Sequence, residues 1–219
     1  EFNCNLCGLL CGWGGAGAFS DGKLNLSTQI GGFLNQYFDE EKLSELIKYV
    51  DDLYVSHGAP TEVYGTNEKR VQKFIDAAIK YDLKLVPSKI RHLGSDRSIP
   101  FLKGLYMALN EKIDIRLRTE VEQVIVRDKK AIGVKTEKGE EIFAEYIILA
   151  PGRVGASWLE KEAKRLKLTT INNPVDIGVR VEVPATVMKE LTDATYEAKL
   201  IYYSKKFDDQ VRTFRMNPY

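Results

Sequence analysis

Apolar side chains recur at helical spacing three times in the first half of the chain. Leu43, Leu46, Ile47, Val50, Leu53 and Tyr54 share one face of a helix over about 40–56, closed by Gly58 and Pro60. A second helix runs from about Asn67, with Val71, Phe74, Ile75, Ala78 and Ile79 on its buried side. Leu83-Lys84-Leu85-Val86 is a short strand that Pro87 ends. Ser98 stands where it can cap a third helix, whose apolar stripe is Leu102, Leu105, Tyr106 and Leu109.

Further along, the period shortens to two. Ile113, Ile115 and Leu117 alternate with Asp114, Arg116 and Arg118, which predicts a half-buried strand. Residues 121–126 pair with 131–136 across the turn Asp128-Lys129-Lys130, and a second turn at Lys138-Gly139 leads into 141–149. These strands make an antiparallel meander. Its last strand ends in Ile147-Ile148-Leu149-Ala150, a continuous apolar run that predicts burial on both faces. Pro151-Gly152-Arg153-Val154-Gly155-Ala156 then opens a helix, with Ser157 and Glu160 at capping-box spacing. The final third reads as a strand at 177–183, a helix near 185–191, and strands near 200–204 and 211–216. Helices and strands mixed in this order predict an α+β or α/β fold.

Composition narrows the class. The 219 residues are 44% hydrophobic, as in ordinary globular proteins. With 32 Lys and Arg against 31 Asp and Glu the net charge is +1, so the overall electrostatic footprint of a nucleic-acid binder is missing. No apolar run reaches the roughly 20 residues that span a bilayer. Only three cysteines are present, which favours a reducing, cytoplasmic setting over a disulfide framework. The two histidines, His57 and His92, are far apart, and the pattern gives neither a catalytic partner or a metal site. The specialised local sequence at both ends reads as an internal piece of a longer chain.

The chemistry concentrates in glycine. Four glycines fall in the six positions Gly12-Trp13-Gly14-Gly15-Ala16-Gly17. Such density calls for backbone at positive φ or for close approach of another group. The segment runs into Phe19-Ser20-Asp21-Gly22-Lys23-Leu24, bringing a hydroxyl, a carboxylate and an ammonium within four positions. It lacks the Gly-Lys-Ser/Thr ending of a Walker loop, and no strand precedes it as in a G-x-G-x-x-G fingerprint. A glycine-rich surface loop is the alternative reading. The stretch 147–160, with its glycine turn and helix N-terminus, is a second platform for an anion or cofactor, or an ordinary strand-to-helix turn.

The twelve residues Trp13-Gly14-Gly15-Ala16-Gly17-Ala18-Phe19-Ser20-Asp21-Gly22-Lys23-Leu24 closely resemble the signature of a group of bacterial and archaeal FAD-dependent dehydrogenases of glutathione-reductase architecture. The resemblance continues in Ile177-Gly178-Val179-Arg180-Val181-Glu182-Val183-Pro184, in Lys199-Leu200-Ile201-Tyr202-Tyr203 and in Phe207-Asp208-Asp209 with Val211-Arg212-Thr213-Phe214. It departs at Arg215, where members of that group are expected to carry Cys.

The resemblance implies the substrate domain of a two-domain flavoprotein, with an antiparallel meander and part of the FAD-binding sheet. Residues 1–38 would face the flavin, 39–96 and 157–219 would belong to the substrate domain, and 97–156 would return to the FAD domain. FAD would be contacted by Gly12, Gly14, Gly15, Gly17, Ser20, Asp21, Lys23, Val121, Ala150, Gly152 and Arg153. A small-molecule substrate is implied, with NAD(P)H as a possible electron partner, and the N-terminal βαβ unit with G-x-G-x-x-G lies outside this sequence. The 219 residues alone are therefore expected to lack turnover, and no catalytic residue is assigned.

Other residues leave alternatives open. Arg180 shares a strand face with Glu182 and either binds an anionic substrate through its fork or forms a surface ion pair. Cys4, Cys7 and Cys11 follow C-x2-C-x3-C, which is three reduced thiols or the start of an iron–sulfur or zinc site lacking its fourth ligand. Two further function classes therefore stand beside the flavoprotein: a non-enzymatic nucleotide- or peptide-binding module, and an iron–sulfur or zinc module.

Overall fold

A computed structural model describes residues 12–172 and 175–217. Within it the chain divides into two compact units. One comprises the described residues up to Phe19 together with Tyr106–Gly178, and the other Ser20–Leu105 together with the described residues from Val179 onward.

The second of these units holds most of the helices. It opens on β1 (Lys23–Asn25) and continues into α1 (Glu40–Ser56) and α2 (Glu68–Ile79). Both helices start where a side chain can meet an otherwise unpaired N–H. Asp39 accepts from the Lys42 N–H at 2.8 Å, and Asn67 from the Arg70 N–H at 3.1 Å. Glu40 and Glu41 add negative charge at the positive end of α1. At the other end of that helix, His57 Nδ1 lies 2.9 Å from the Leu53 carbonyl oxygen, so this histidine is used as a helix terminator.

Strand β2 (Leu83–Val86) pairs across a long sequence separation with a late strand of the chain. Between them in sequence come β3 (Ile90–His92), the antiparallel partner of β1, and α3 (Ser95–Asn110). Helix α3 begins a turn before Ser98, so that residue is not its cap. The Ser98 hydroxyl is instead buried, donating to the Ser20 carbonyl at 2.8 Å. Tyr54, Ala59, Leu93, Phe101, Leu102 and Leu105 form one core cluster.

The other unit contains the meander β4 (Val121–Arg127), β5 (Lys130–Thr136) and β6 (Glu141–Phe143), followed by α4 (Ala156–Arg165). All its strand pairs are antiparallel, with Val124 opposite Val134 and Val134 opposite Ile142. Strand β4 is an edge, and α4 covers part of it. Glu162 accepts from the Val124 N–H at 2.8 Å while Arg165 donates to the Val124 carbonyl at 2.6 Å and to Glu162 at 2.7 Å. The Trp158 indole N–H reaches the Glu122 carbonyl at 2.8 Å. These side chains satisfy backbone groups that an edge strand otherwise leaves to water. The α4 N-cap is Gly155 with no side-chain bond, so Ser157 is inside the helix and the expected capping box does not form.

Back in the helical unit, α5 (Ala185–Thr195) leads into β7 (Lys199–Ser204) and β8 (Asp209–Arg212). The sheet order is β2–β7–β8, with Leu85 opposite Leu200 and Tyr202 opposite Val211. Ala78 of α2, Leu85 and Ala198 make its buried centre, with Phe74, Ile75, Leu191, Leu200 and Met216 packed around them. Every strand pair among the described residues is antiparallel, so the fold is α+β.

Two expected strands, and the end of a third that begins as β6, do not form. Residues 113–117 lie in turns and irregular chain, with the Ile113 N–H held by Leu109 and Arg116 bridging Asp114 and Glu140 at 2.7 Å each. The run Ile147-Ile148-Leu149-Ala150 is neither strand nor buried on both faces, since Ile148 is 91% exposed. Residues 177–183 are likewise outside any strand. A strand needs a ladder partner for its N–H and C=O groups, and periodicity alone does not supply one. No helix among the described residues is long and apolar enough to cross a membrane.

Candidate functional site

The sequence-predicted residues fall into two places, one in each unit. Gly12, Gly14, Gly15, Gly17, Val121, Ala150, Gly152 and Arg153 lie in the meander unit, and Ser20, Asp21, Lys23 and Arg180 in the helical unit.

In the meander unit the glycine segment folds into a tight turn and a single 3-10 helix, Gly15–Phe19, begun by the Gly15 N–H bonding the Gly12 carbonyl at 3.0 Å. Gly12, Gly14 and Gly15 have φ of +86°, +83° and +51°. These are values a side chain disfavours, so the conformation itself demands glycine. Gly17 is different. Its φ is not positive, and a β-carbon there would meet no atom within 4 Å. The fold of the described residues thus gives no steric reason for glycine at 17, and the backbone at Gly12, Gly15 and Gly17 is open to approach. Trp13 anchors the segment by an edge-on contact with Tyr106 at 5.2 Å. Elsewhere in the unit, Gly152 takes φ +64° between the exposed Ala150 and Arg153, and Val121 is the first residue of β4.

The helical unit contains a charged cluster built on three pieces of chain. Gly22, at φ +64°, turns the chain into β1, where any β-carbon would fall 2.6 Å from that of Leu93. Lys23 then stands directly opposite His92 in the β1–β3 ladder. The Lys23 ammonium has three hydrogens to donate. It meets three oxygens: Met216 carbonyl at 2.7 Å, Glu197 Oε2 at 3.0 Å and Asp21 Oδ2 at 3.2 Å. Arg215 closes the set, its guanidinium 2.7 Å from Asp21 Oδ1. Two cations and two carboxylates therefore neutralise one another. Burial pushes the Asp21 carboxyl up, but its hydrogen bonds and charge interactions with Lys23 and Arg215 together outweigh this and leave it below its ordinary value.

Tyr196 joins this cluster through an unusual turn. Its φ and ψ are +59° and −59°, and the Glu197 N–H bonds the Thr195 carbonyl at 2.7 Å. This is the strained form of a γ-turn, rare for any residue and more so for an aromatic one. The turn ends α5 and in two successive residues points Tyr196 and Glu197 at their partners. The buried Tyr196 ring lies against Tyr64 at 4.8 Å and His92 at 4.6 Å, with the Lys23 ammonium 5.3 Å from its centroid. Its hydroxyl is 3.0 Å from His92 Nε2. Burial holds His92 below its ordinary value, and Lys23 adds to this while Asp21 and Asp96 oppose it. Which of the two donates in this hydrogen bond follows from the imidazole tautomer.

Sequence reasoning found Asp21 and Lys23 but missed His92, Tyr196, Glu197 and Met216 as their neighbours, and saw Arg215 only as a departure from a motif. His92 has a hydrogen-bond partner in Tyr196. The partner is 104 positions away along the chain, beyond the reach of any local pattern. Arg180 pairs with Glu182 at 2.9 Å, both side chains strongly exposed. Among the described residues no cluster of His, Cys, Asp and Glu is disposed to hold a metal ion; Cys4, Cys7 and Cys11 lie outside them.

The chain matches no family model. It is similar to an uncharacterized protein of Clostridium beijerinckii, 28% identical over 223 residues, which covers 94% of this chain and 34% of that protein. The chain thus spans about a third of the length of the relative it matches.

Proposed function

We propose that these residues belong to an FAD-dependent oxidoreductase, contributing the substrate domain and part of the FAD domain of a longer flavoprotein. The observation that carries the reading is the glycine segment: Gly12, Gly14 and Gly15 are at positive φ, and at Gly12, Gly15 and Gly17 open space lies where a β-carbon would stand. Backbone of this kind suits close contact with a flat or phosphorylated cofactor. Gly12, Gly14, Gly15 and Gly17 hold the cofactor on this reading, together with Val121, Ala150, Gly152 and Arg153. FAD, when bound, supplies hydride transfer to or from a small-molecule substrate, with NAD(P)H as electron partner.

The chain's own residues have supporting tasks. Lys23 spends all three of its N–H groups inside the helical unit, so it is a structural brace rather than a free cation for phosphate. Asp21 and Ser20 hold the turn that follows the glycine segment, the Gly22 N–H bonding the Ser20 hydroxyl oxygen at 3.3 Å. Arg180, exposed and paired only with a neighbouring carboxylate, is the group that meets an anionic substrate. A cytoplasmic location accompanies this chemistry.

The full-length polypeptide is expected to purify yellow and to release FAD on denaturation. Gly17→Val, at a position with ordinary φ and open space, is expected to lower FAD content at least several-fold without lowering the thermal midpoint of the apoprotein. A colourless full-length protein that takes up no FAD on reconstitution overturns the reading.

A further inference from the structure

One stretch of chain is built like a sheet strand and has no sheet. Val175, Ile177, Val179, Val181 and Val183 alternate with Asp176, Gly178, Arg180 and Glu182. Five β-branched residues at period two, with polar residues between them, are the pattern of a strand buried on one face. Yet Val175, Ile177, Val179 and Val181 are 75–94% exposed. Among the described residues no strand pairs with them. The polar face is already satisfied locally by Arg180 and Glu182 at 2.9 Å, which leaves a neutral apolar row pointing to water.

An extended stretch with such a row offers a docking edge, which native proteins pair, cover or blunt as a rule. Its cover must supply both a ladder of backbone groups and an apolar surface. The comparison offers a source for such a cover: 94% of this chain aligns with 34% of a longer protein, so two thirds of that relative lie outside the matched span. We infer that 175–183 is a strand of the full-length fold, paired intramolecularly with a β-strand encoded outside these 219 residues and packed by its valine row onto that partner's own core. The docking surface is thus specific for one occupant, an apolar strand of the same polypeptide. This goes beyond the flavoprotein reading and does not depend on it.

Hydrogen exchange on the full-length polypeptide tests the pairing directly. Amides of 177–183 are expected to exchange about a hundredfold more slowly there than in the 219-residue chain, and equally at two concentrations about tenfold apart. The double variant Val179→Lys/Val181→Lys is expected to abolish that protection while the amides of β7 stay protected, and Arg180→Ser, on the other face, to preserve it. Equal, fast exchange in both chains overturns the inference, because no cover exists. Protection that grows with concentration also overturns it, because the cover is then a second copy. Protection that survives the double lysine variant removes the valine row from the contact and overturns it as well. None of these readouts requires flavin, so a colourless full-length protein with a protected 177–183 retires the FAD reading and leaves this one standing.

Discussion

Lys23 and Tyr196 show how a single side chain can hold distant chain segments together. Removing the Lys23 ammonium while keeping its stem, as in Lys23→Met, leaves Asp21, Glu197 and the Met216 carbonyl facing one another without their cation. The groups are 12–19% exposed, nearly out of water, so the loss is expected near 3 kcal/mol, the low end for breaking one partner of a buried pair. Urea unfolding at neutral pH measures it. His92 makes the stability depend on pH. Its folded pKa lies below the unfolded 6.5, so the unfolded chain takes up the proton first as the pH falls. The stabilising contribution is therefore complete above about 6.5 and is lost as the pH drops through the lower folded value, with a slope bounded by about 1.4 kcal/mol per pH unit. His92→Gln, which keeps an acceptor for the Tyr196 hydroxyl but does not titrate, is expected to flatten the stability profile between pH 7 and 5. Asp21 acts in a separate window, below its ordinary 3.8, which the same substitution leaves in place.

At the scale of the element, α4 and β4 are joined through one carboxylate. Glu162→Ala strips the Val124 N–H of its acceptor and Arg165 of its partner, and is expected to cost about 2–3 kcal/mol and to speed exchange at the Val124 amide. Glu162→Gln, which retains an oxygen, is expected to lose less. Elements that carry their own signals were legible in the chain. Helices α1 and α2 announce themselves by apolar period and by Asp39 and Asn67, and the meander by its alternation and its turn at Asp128-Lys129. Strands β1 and β3 are three residues each, too short for a period to register, and exist because each pairs with the other. The glycine segment was legible as special backbone, because the need for positive φ is local. The cluster around Lys23 was not, because Glu197 and Met216 lie 174 and 193 positions away. The alternation at 177–183 specifies a face and not the neighbour that covers it, so the pattern alone does not place the segment in any sheet among the described residues.

Across the whole molecule the two units have unequal means of support. Among the described residues both large apolar clusters belong to the helical unit, whereas the meander unit buries the Val124 and Ala163 side chains and has the polar clamp of α4. The meander unit is therefore expected to unfold first. Trp13 and Trp158, the two tryptophans of the chain, both lie in it. Tryptophan fluorescence should then change at lower urea than far-ultraviolet circular dichroism, and coincident curves would refute the unequal division. The interleaving of the units also has a consequence for how the protein is made. A ribosome delivers β2 long before β7, with roughly a hundred residues and the entire meander between them. At about 5–20 residues per second, β2 waits on the order of ten seconds for the strand that pairs with it. Asp21 and Lys23 emerge earlier still, the lysine 174 positions before Glu197 and 193 before Met216. The neutral cluster thus forms only after the intervening chain has been made, and until then a nascent chain holds its exposed strand and unmatched charges in trust for whatever chaperone meets it first.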